Sequence, residues 1–198
     1  MARKHLIKYA LWAVAIVLCG WLILTLYVER EGRDVAITVG NGKRKAMVIF
    51  DPDPFYNLDE QVCVAFARGL SENDMKVIVV SVAGAKHIQP ASFDLYVYCA
   101  NTYNWQPDWA ITGFIDDHKN ETLNKPVVAI TLGAGSTQTS QKSFEKRITA
   151  NGAKLVGSYA LWLWRPNNEE RMEQPNVEVA AAMAYTWGKQ VADKINPN

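Results

Sequence analysis

DLYVYCANTYNWQPDWAITGFIDDH, residues 94–118, holds the pattern that decides the fold. Its opening, Asp94–Ala100, is a short apolar run of the kind that forms a strand buried on both faces. A loop rich in polar and aromatic residues follows. Asp108–His118 then reads as a helix, with Trp109, Ile111, Phe114 and Ile115 as its apolar side. The same unit recurs on either side. Upstream lie two strand-type runs, AMVIF (46–50) and KVIVVSV (76–82). Downstream lie PVVAITL (126–132) and KLVGSYALWLW (154–164). Between and after them, three further stretches have helical spacing. Asn57–Leu70 carries Leu58, Val62, Ala65, Phe66 and Leu70 on one stripe, with Asn57 as a good N-cap. Gln138–Asn151 ends at Gly152, a natural C′ residue. Asn176–Ile195 closes the chain with Val177, Ala181, Ala184 and Val191 inward.

Apolar strands alternating with helices predict an α/β fold. The expected form is a doubly wound, five-stranded parallel sheet in a three-layer αβα sandwich. Ligands of such sheets sit at the carboxyl ends of the strands. That points to the loops 51–57, 83–90, 100–108 and 132–138.

Ahead of this domain, Tyr9–Val28 is an uncharged apolar run of membrane-spanning length. Tyr9, Trp12 and Tyr27 lie near its ends, where amphipathic rings favour the interface. The run is longer than the apolar core of a cleaved signal peptide, and YVEREGRD after it does not resemble a cleavage site. The expected organisation is a basic tail (1–8), a single transmembrane helix (9–28), a polar linker (29–44) and the globular domain (45–198). Within the linker, Val35–Val39 reads as a short strand and Asn41-Gly42 as a turn. The short basic tail favours a cytoplasmic N-terminus, so the domain is expected outside the cytoplasm. The expected localisation is thus a single-pass membrane protein with the bilayer and other membrane proteins as its partners.

Composition narrows the function. Of 198 residues, 49% are hydrophobic and 21% charged, which excludes a disordered, collagen-like or disulfide-scaffold chain. A net charge of +1 argues against nucleic acid as a partner.

The segment 94–118 resembles flavodoxins: a strand, a small-residue Thr-Tyr loop, a proline, then a helix ending in Phe-Ile-Asp. KPVVAITLGAGSTQTSQKSFEKRITANGAKLVG is similar to the family's fourth strand, Gly-rich loop, helix and fifth strand, and NVEVAAAMAYTWGKQVAD to its last helix. The resemblance covers roughly Ala46–Ile195. It implies a flavodoxin-like fold and raises flavin mononucleotide (FMN) as a candidate cofactor. On that resemblance, Tyr103 and Trp105 would stack on the flavin ring, and Gly133, Gly135, Ser136 and Thr137 would meet its polar edge. Tyr159, Trp162 and Trp164 crowd the end of the fifth strand; sharing one rim with Trp105 and Trp109 they would form a flavin pocket or a contact surface, and otherwise they pack in the core.

The family holds the flavin phosphate in a Ser/Thr/Gly loop after the first strand, where backbone N–H groups converge at a helix N-terminus. Here that loop is FDPDPFYNLDE (50–60), without Ser, Thr or Gly. Pro52 and Pro54 have no N–H, and Asp51 and Asp53 would repel a phosphate. Asp51 and Asp53 admit a Mg²⁺ site as in receiver-like domains, but Asn101 and Arg165-Pro166 stand where those domains carry Asp and Lys, and a turn-shaping role is the plainer reading. His5, His87 and His118 have no metal-ligand spacing. Cys63 and Cys99 read as buried thiols, or as a disulfide if the domain is extracytoplasmic. Asn120-Glu121-Thr122 is a glycosylation sequon in a eukaryotic secretory setting.

Two principal readings follow. One is a membrane-anchored flavodoxin-like domain with a degraded phosphate loop, a non-catalytic accessory subunit of a membrane assembly. The alternative is an FMN-binding electron-transfer flavoprotein tethered to the membrane. A Mg²⁺-dependent phosphoryl enzyme is the third. Whether the chain is an enzyme at all is left open by the residues.

Overall fold

The computed structural model describes residues 2–88 and 93–195. The chain begins with helix α1 (Ala2–Val28), whose stretch Ile7–Val28 is long and apolar enough to cross a membrane. At 1.5 Å per residue, its 22 residues span about 33 Å, against a hydrocarbon layer of ~30 Å. Every residue from Ile7 to Leu24 is exposed, so among the described residues this helix buries its apolar surface only near its C-terminal end.

The rest is one seven-stranded sheet between two helical layers. Strands β2 (Arg44–Phe50), β3 (Met75–Ser81), β4 (Leu95–Tyr103), β6 (Pro126–Gly133) and β7 (Lys154–Trp162) are the five expected from the apolar runs. They lie parallel in the order β3-β2-β4-β6-β7. The expectation of five strands falls two short. β1 (Ala36–Val39), the short strand read in the linker, runs antiparallel along the edge of β3. β5 (Gln106–Pro107) folds back on the end of β4. The five-strand count missed it because two residues carry no alternation pattern. The order reverses beside β2, so the carboxyl ends of β2 and β4 flank the switch point where ligands of open α/β sheets bind.

Side chains alternate along each strand between two cores, which is why the runs are apolar throughout. Val48, Phe50, Val97, Ile130 and Leu132 meet α2 (Leu58–Ser71) and α7 (Asn176–Ile195). Met47, Ile49, Tyr96, Tyr98 and Ala129 meet α4 (Trp109–Asp117) and α6 (Gln138–Ala150). The connection after β3 is one short turn of helix, α3 (Val82–Ala85), where the sequence suggested a loop over 83–90; positions 89 and 90 of that expected loop lie outside the described residues. A second short helix, α5 (Lys119–Thr122), follows α4.

Glycine sets the α2–α7 crossing. A Cβ on Gly69 would sit 2.1 Å from the Tyr185 carbonyl oxygen, and one on Gly188 2.2 Å from that of Phe66. Two bare backbones touch there, and larger residues would push the helices apart. At the α6 end, Gly152 takes φ +81 as the expected C′ glycine. Asn57 does occupy the N-cap position of α2, but its side chain makes no capping bond; it accepts from Gln61 Nε2 at 2.8 Å. Cys63 and Cys99 are buried and unbonded. Burial pushes the Cys99 thiol well up, and the neighbouring Cys63 thiol adds to the rise.

Candidate functional site

The strand-end loops meet at the carboxyl side of the sheet, and carboxylates hold them together. In the loop after β2, Asp53 turns back on its own backbone. Its Oδ1 accepts from the amides of Phe55 (2.7 Å) and Tyr56 (2.9 Å). Its Oδ2 accepts from the Tyr103 hydroxyl at 2.6 Å. Asp59, in the first turn of α2, accepts from the amides of Asp53 (2.6 Å) and Glu60 (2.7 Å). Asp51 accepts from the Gly32 amide at 2.9 Å. Four N–H donors of this loop and the helix start, those of Asp53, Phe55, Tyr56 and Glu60, therefore already face carboxylates of the chain itself.

Asn101, at the end of β4, joins the cluster. Its Nδ2 donates to the Asp51 carbonyl (3.1 Å) and to Asp59 Oδ2 (3.2 Å). Its backbone N–H donates to Asp108 Oδ2 at 2.8 Å, while Asp108 Oδ1 caps α4 by accepting from the Ile111 amide at 2.8 Å. Burial pushes Asp51 and Asp59 from the usual 3.8 up to about 6, against the opposing pull of their amide donors. Burial drives Asp108 well above its ordinary range and raises Glu29 as well. The Tyr103 phenol is also raised, first by burial and then by its bond to Asp53. Among the described residues, no three carboxylates, histidines or cysteines gather as metal ligands.

Above this cluster lies a cleft of about 180 Å³. Asp53, Phe55, Tyr56, Tyr103, Gly133 and Trp164 are among its walls. Its volume is below the ~300 Å³ at which small-molecule pockets begin. Of the residues the sequence suggested for a flavin ring, Tyr103 and Gly133 line it. Trp105 stands outside, 64% exposed, at the tip of the β4–β5 hairpin. Gly135 and the exposed Ser136 do not line it. Thr137 is buried, and its hydroxyl accepts from Trp162 Nε1 at 3.2 Å. Tyr159 is not on the rim at all: it stacks on Trp187 at 4.4 Å, in the α2–α7 layer. Trp164 is on the rim, edge-on to Tyr56 at 6.4 Å.

The end of α1 reaches this same face. Glu29 accepts from the Trp109 amide at 2.7 Å, and Asn104 Nδ2 donates to the Thr25 hydroxyl at 3.2 Å. The Tyr27 and Phe55 rings lie 5.7 Å apart. Arg33 pairs with Glu60 and Lys86 with Glu31. None of these joins was visible in the sequence. The "DPDP" and "LDE" runs at least put acids within one loop of each other; Glu29 gave no signal, being 80 residues from the amide it binds.

No family model matches the sequence, and no curated protein sequence matches it either. Solved structures do match. A flavodoxin from the domain Archaea aligns over 76% of this chain and 98% of its own, at TM-score 0.58 and 13% identity. The fold is flavodoxin-like. Oxidised flavodoxin 1 from Bacillus cereus aligns over 73% of this chain and 97% of its own (TM-score 0.52, 16% identity). Rubredoxin oxygen:oxidoreductase from Desulfovibrio gigas aligns over 78% of this chain but 38% of its own, at TM-score 0.55 and 14% identity. At these identities the likeness is one of architecture.

The fold therefore raises FMN, and the flavodoxin-like domain can be tested against it. The residues do not fit its phosphate end. The Phe55 and Tyr56 amides point at Asp53, and Pro52 and Pro54 offer no donor. A phosphate of −1.5 to −2 charge at ~5 Å from each carboxylate would be repelled by about 3 kcal/mol per unit-charge pair.

Proposed function

We propose that this protein is a membrane-anchored flavodoxin-like domain that has given up phosphate-directed flavin binding and serves as a non-catalytic accessory subunit of a membrane assembly. One observation carries the reading: in the loop after β2, where flavodoxins hold the phosphate, the Asp53 carboxylate already accepts from the Phe55 and Tyr56 amides. An internal carboxylate is held beside these amides at high effective concentration, so a free anion must displace it and then face its charge. The loop is thus a structural joint, closed on itself through Asp53, Asp59 and Asn101.

The apolar run Ile7–Val28, exposed along nearly all its length, supports α1 as a single-pass anchor. The basic tail favours a domain outside the cytoplasm, with other membrane proteins as its partners. The tethered FMN electron carrier has one specific observation in its favour, the aromatic cleft formed by Tyr56, Tyr103 and Trp164. Its small volume weighs against it.

An absorbance spectrum of the full chain in detergent, followed by titration with FMN and with riboflavin, tests this. A colourless protein that quenches neither is expected. Saturable quenching by FMN at micromolar concentration overturns the reading. Quenching by riboflavin and FMN alike would assign the cleft to the ring without the phosphate.

A further inference from the structure

We propose that the β4–β5 hairpin and the aromatic loops beside it dock into the interfacial layer of the bilayer that α1 spans, with Trp105 as the inserted side chain. The inference rests on the reading of α1 as a membrane anchor, and adds to it a second contact with the same bilayer.

Depth comes first. Asn104, at the hairpin tip, is hydrogen-bonded to Thr25. Thr25 lies three residues before Val28, the end of the apolar span, or about 4.5 Å along the axis. The tip of the globular domain is therefore level with the last turn of the membrane helix. Residues at that level meet headgroups and the first acyl carbons, and not bulk water.

The chemistry of the tip suits that layer. Trp105 and its neighbours Phe55, Trp109 and Trp164 are each more than half exposed. Tryptophan gains most at a membrane interface, where its ring is apolar and its indole N–H stays hydrated. The acid cluster beneath these loops points inward instead, and the exposed Glu31 beside it is paired with Lys86. Asp51, Asp59 and Asp108 are buried against backbone amides, so they present little charge to a phospholipid surface.

The backbone of the tip supplies an independent observation. Asn104 and Trp105 take φ +48 and +60 as the two central residues of the β4–β5 turn. Asn-Gly is the favoured pair there, and a bulky side chain in the left-handed region is strained. Nothing inside the fold compensates, because the Trp105 side chain projects outward. A bilayer is the occupant that rewards a large aromatic at this one position.

Tryptophan quenching in phosphatidylcholine vesicles tests this, using the full chain and lipids brominated either near the headgroup or near the bilayer centre. Trp21, nearer the middle of the span, reports on the anchor, and its quenching from the bilayer centre shows that α1 spans. Trp105→Phe should remove a component quenched by headgroup-proximal bromines and shielded from aqueous acrylamide. Trp105→Gly, which suits the turn, should remove the same component without disturbing the fold. Trp187→Phe, on α7, should leave it in place. If Trp21 escapes the central bromines, the anchor reading fails and the docking with it. If it is quenched while the Trp105 component responds to acrylamide as in water, the docking alone is overturned. Shielding of Trp105 from both acrylamide and bromines would mean that protein covers the tip, and would also overturn it.

Discussion

The two ends of the sheet have opposite polarity. At the amino ends of the strands, acids are outside: Asp74 and Asp94 are exposed and accept from the Lys43 and Lys45 amides at 3.3 and 2.8 Å. At the carboxyl ends a central cluster of acids lies inside and four large aromatics lie outside, with exposed acids such as Glu31, Glu169 and Glu170 only around the margin. Asp51, Asp59 and Asp108 are buried, while Phe55, Trp105, Trp109 and Trp164 are exposed. The amino end follows the ordinary rule for a surface in water. The carboxyl end, where α1 is fastened, reverses it. Burying a carboxylate is costly unless donors meet it, so the inversion was built only where backbone amides converge.

The largest way to break this contrast is Asp108→Ala. It removes the cap of α4 and strands the half-buried amide of Asn101, so a loss of about 2–4 kcal/mol is expected from urea unfolding of the full chain in detergent. Titration sharpens it next. The folded-state pKa values of Asp51 and Asp59, about 6, lie above the ordinary 3.8, so folding favours the protonated forms. Their stabilisation is full below pH 4 and is lost as pH rises through about 6. Going from pH 5 to pH 7.5 should cost about 1 kcal/mol per group, and Asp51→Asn, which can still accept from Gly32, should flatten its share of the slope. Tyr103→Phe comes third, at about 1 kcal/mol, because one bond to the Asp53 carboxylate is lost and the two amides keep the loop closed. At the other end, Asp94→Ala should cost less than about 1 kcal/mol, since water replaces the carboxylate. An equal cost for Asp94→Ala and Asp108→Ala would erase the contrast.

The fold was legible because apolar strands and amphipathic helices each leave a local period. Four helices and all five parallel strands end within three residues of where the spacing placed them. β5 had no period to leave. The site was legible only as an absence: FDPDPFYNLDE lacks the residues a phosphate needs. What replaces them depends on hydrogen bonds across the chain, such as Tyr103 to Asp53 and Asn101 to Asp59, which span 50 and 42 residues. Proximity of that kind follows from the sheet order and not from spacing. The aromatic residues do not act as one rim: Tyr159 packs on Trp187 while Trp164 stands beside Tyr56. A strand that twists and ends between Trp162 and Trp164 separates them, and alternation alone does not show where it ends.

The joints between α1 and the domain, at Thr25, Glu29, Gly32 and Arg33, have a consequence for encounters. A domain on a slack tether presents every side to a neighbour in turn. This one is clamped to its helix, so with α1 in a bilayer, as proposed above, turning the domain means turning the helix. A protein diffusing laterally in the same membrane would meet it at fixed height and in one pose. Most of the rotational search that slows ordinary docking is then already complete before the two touch.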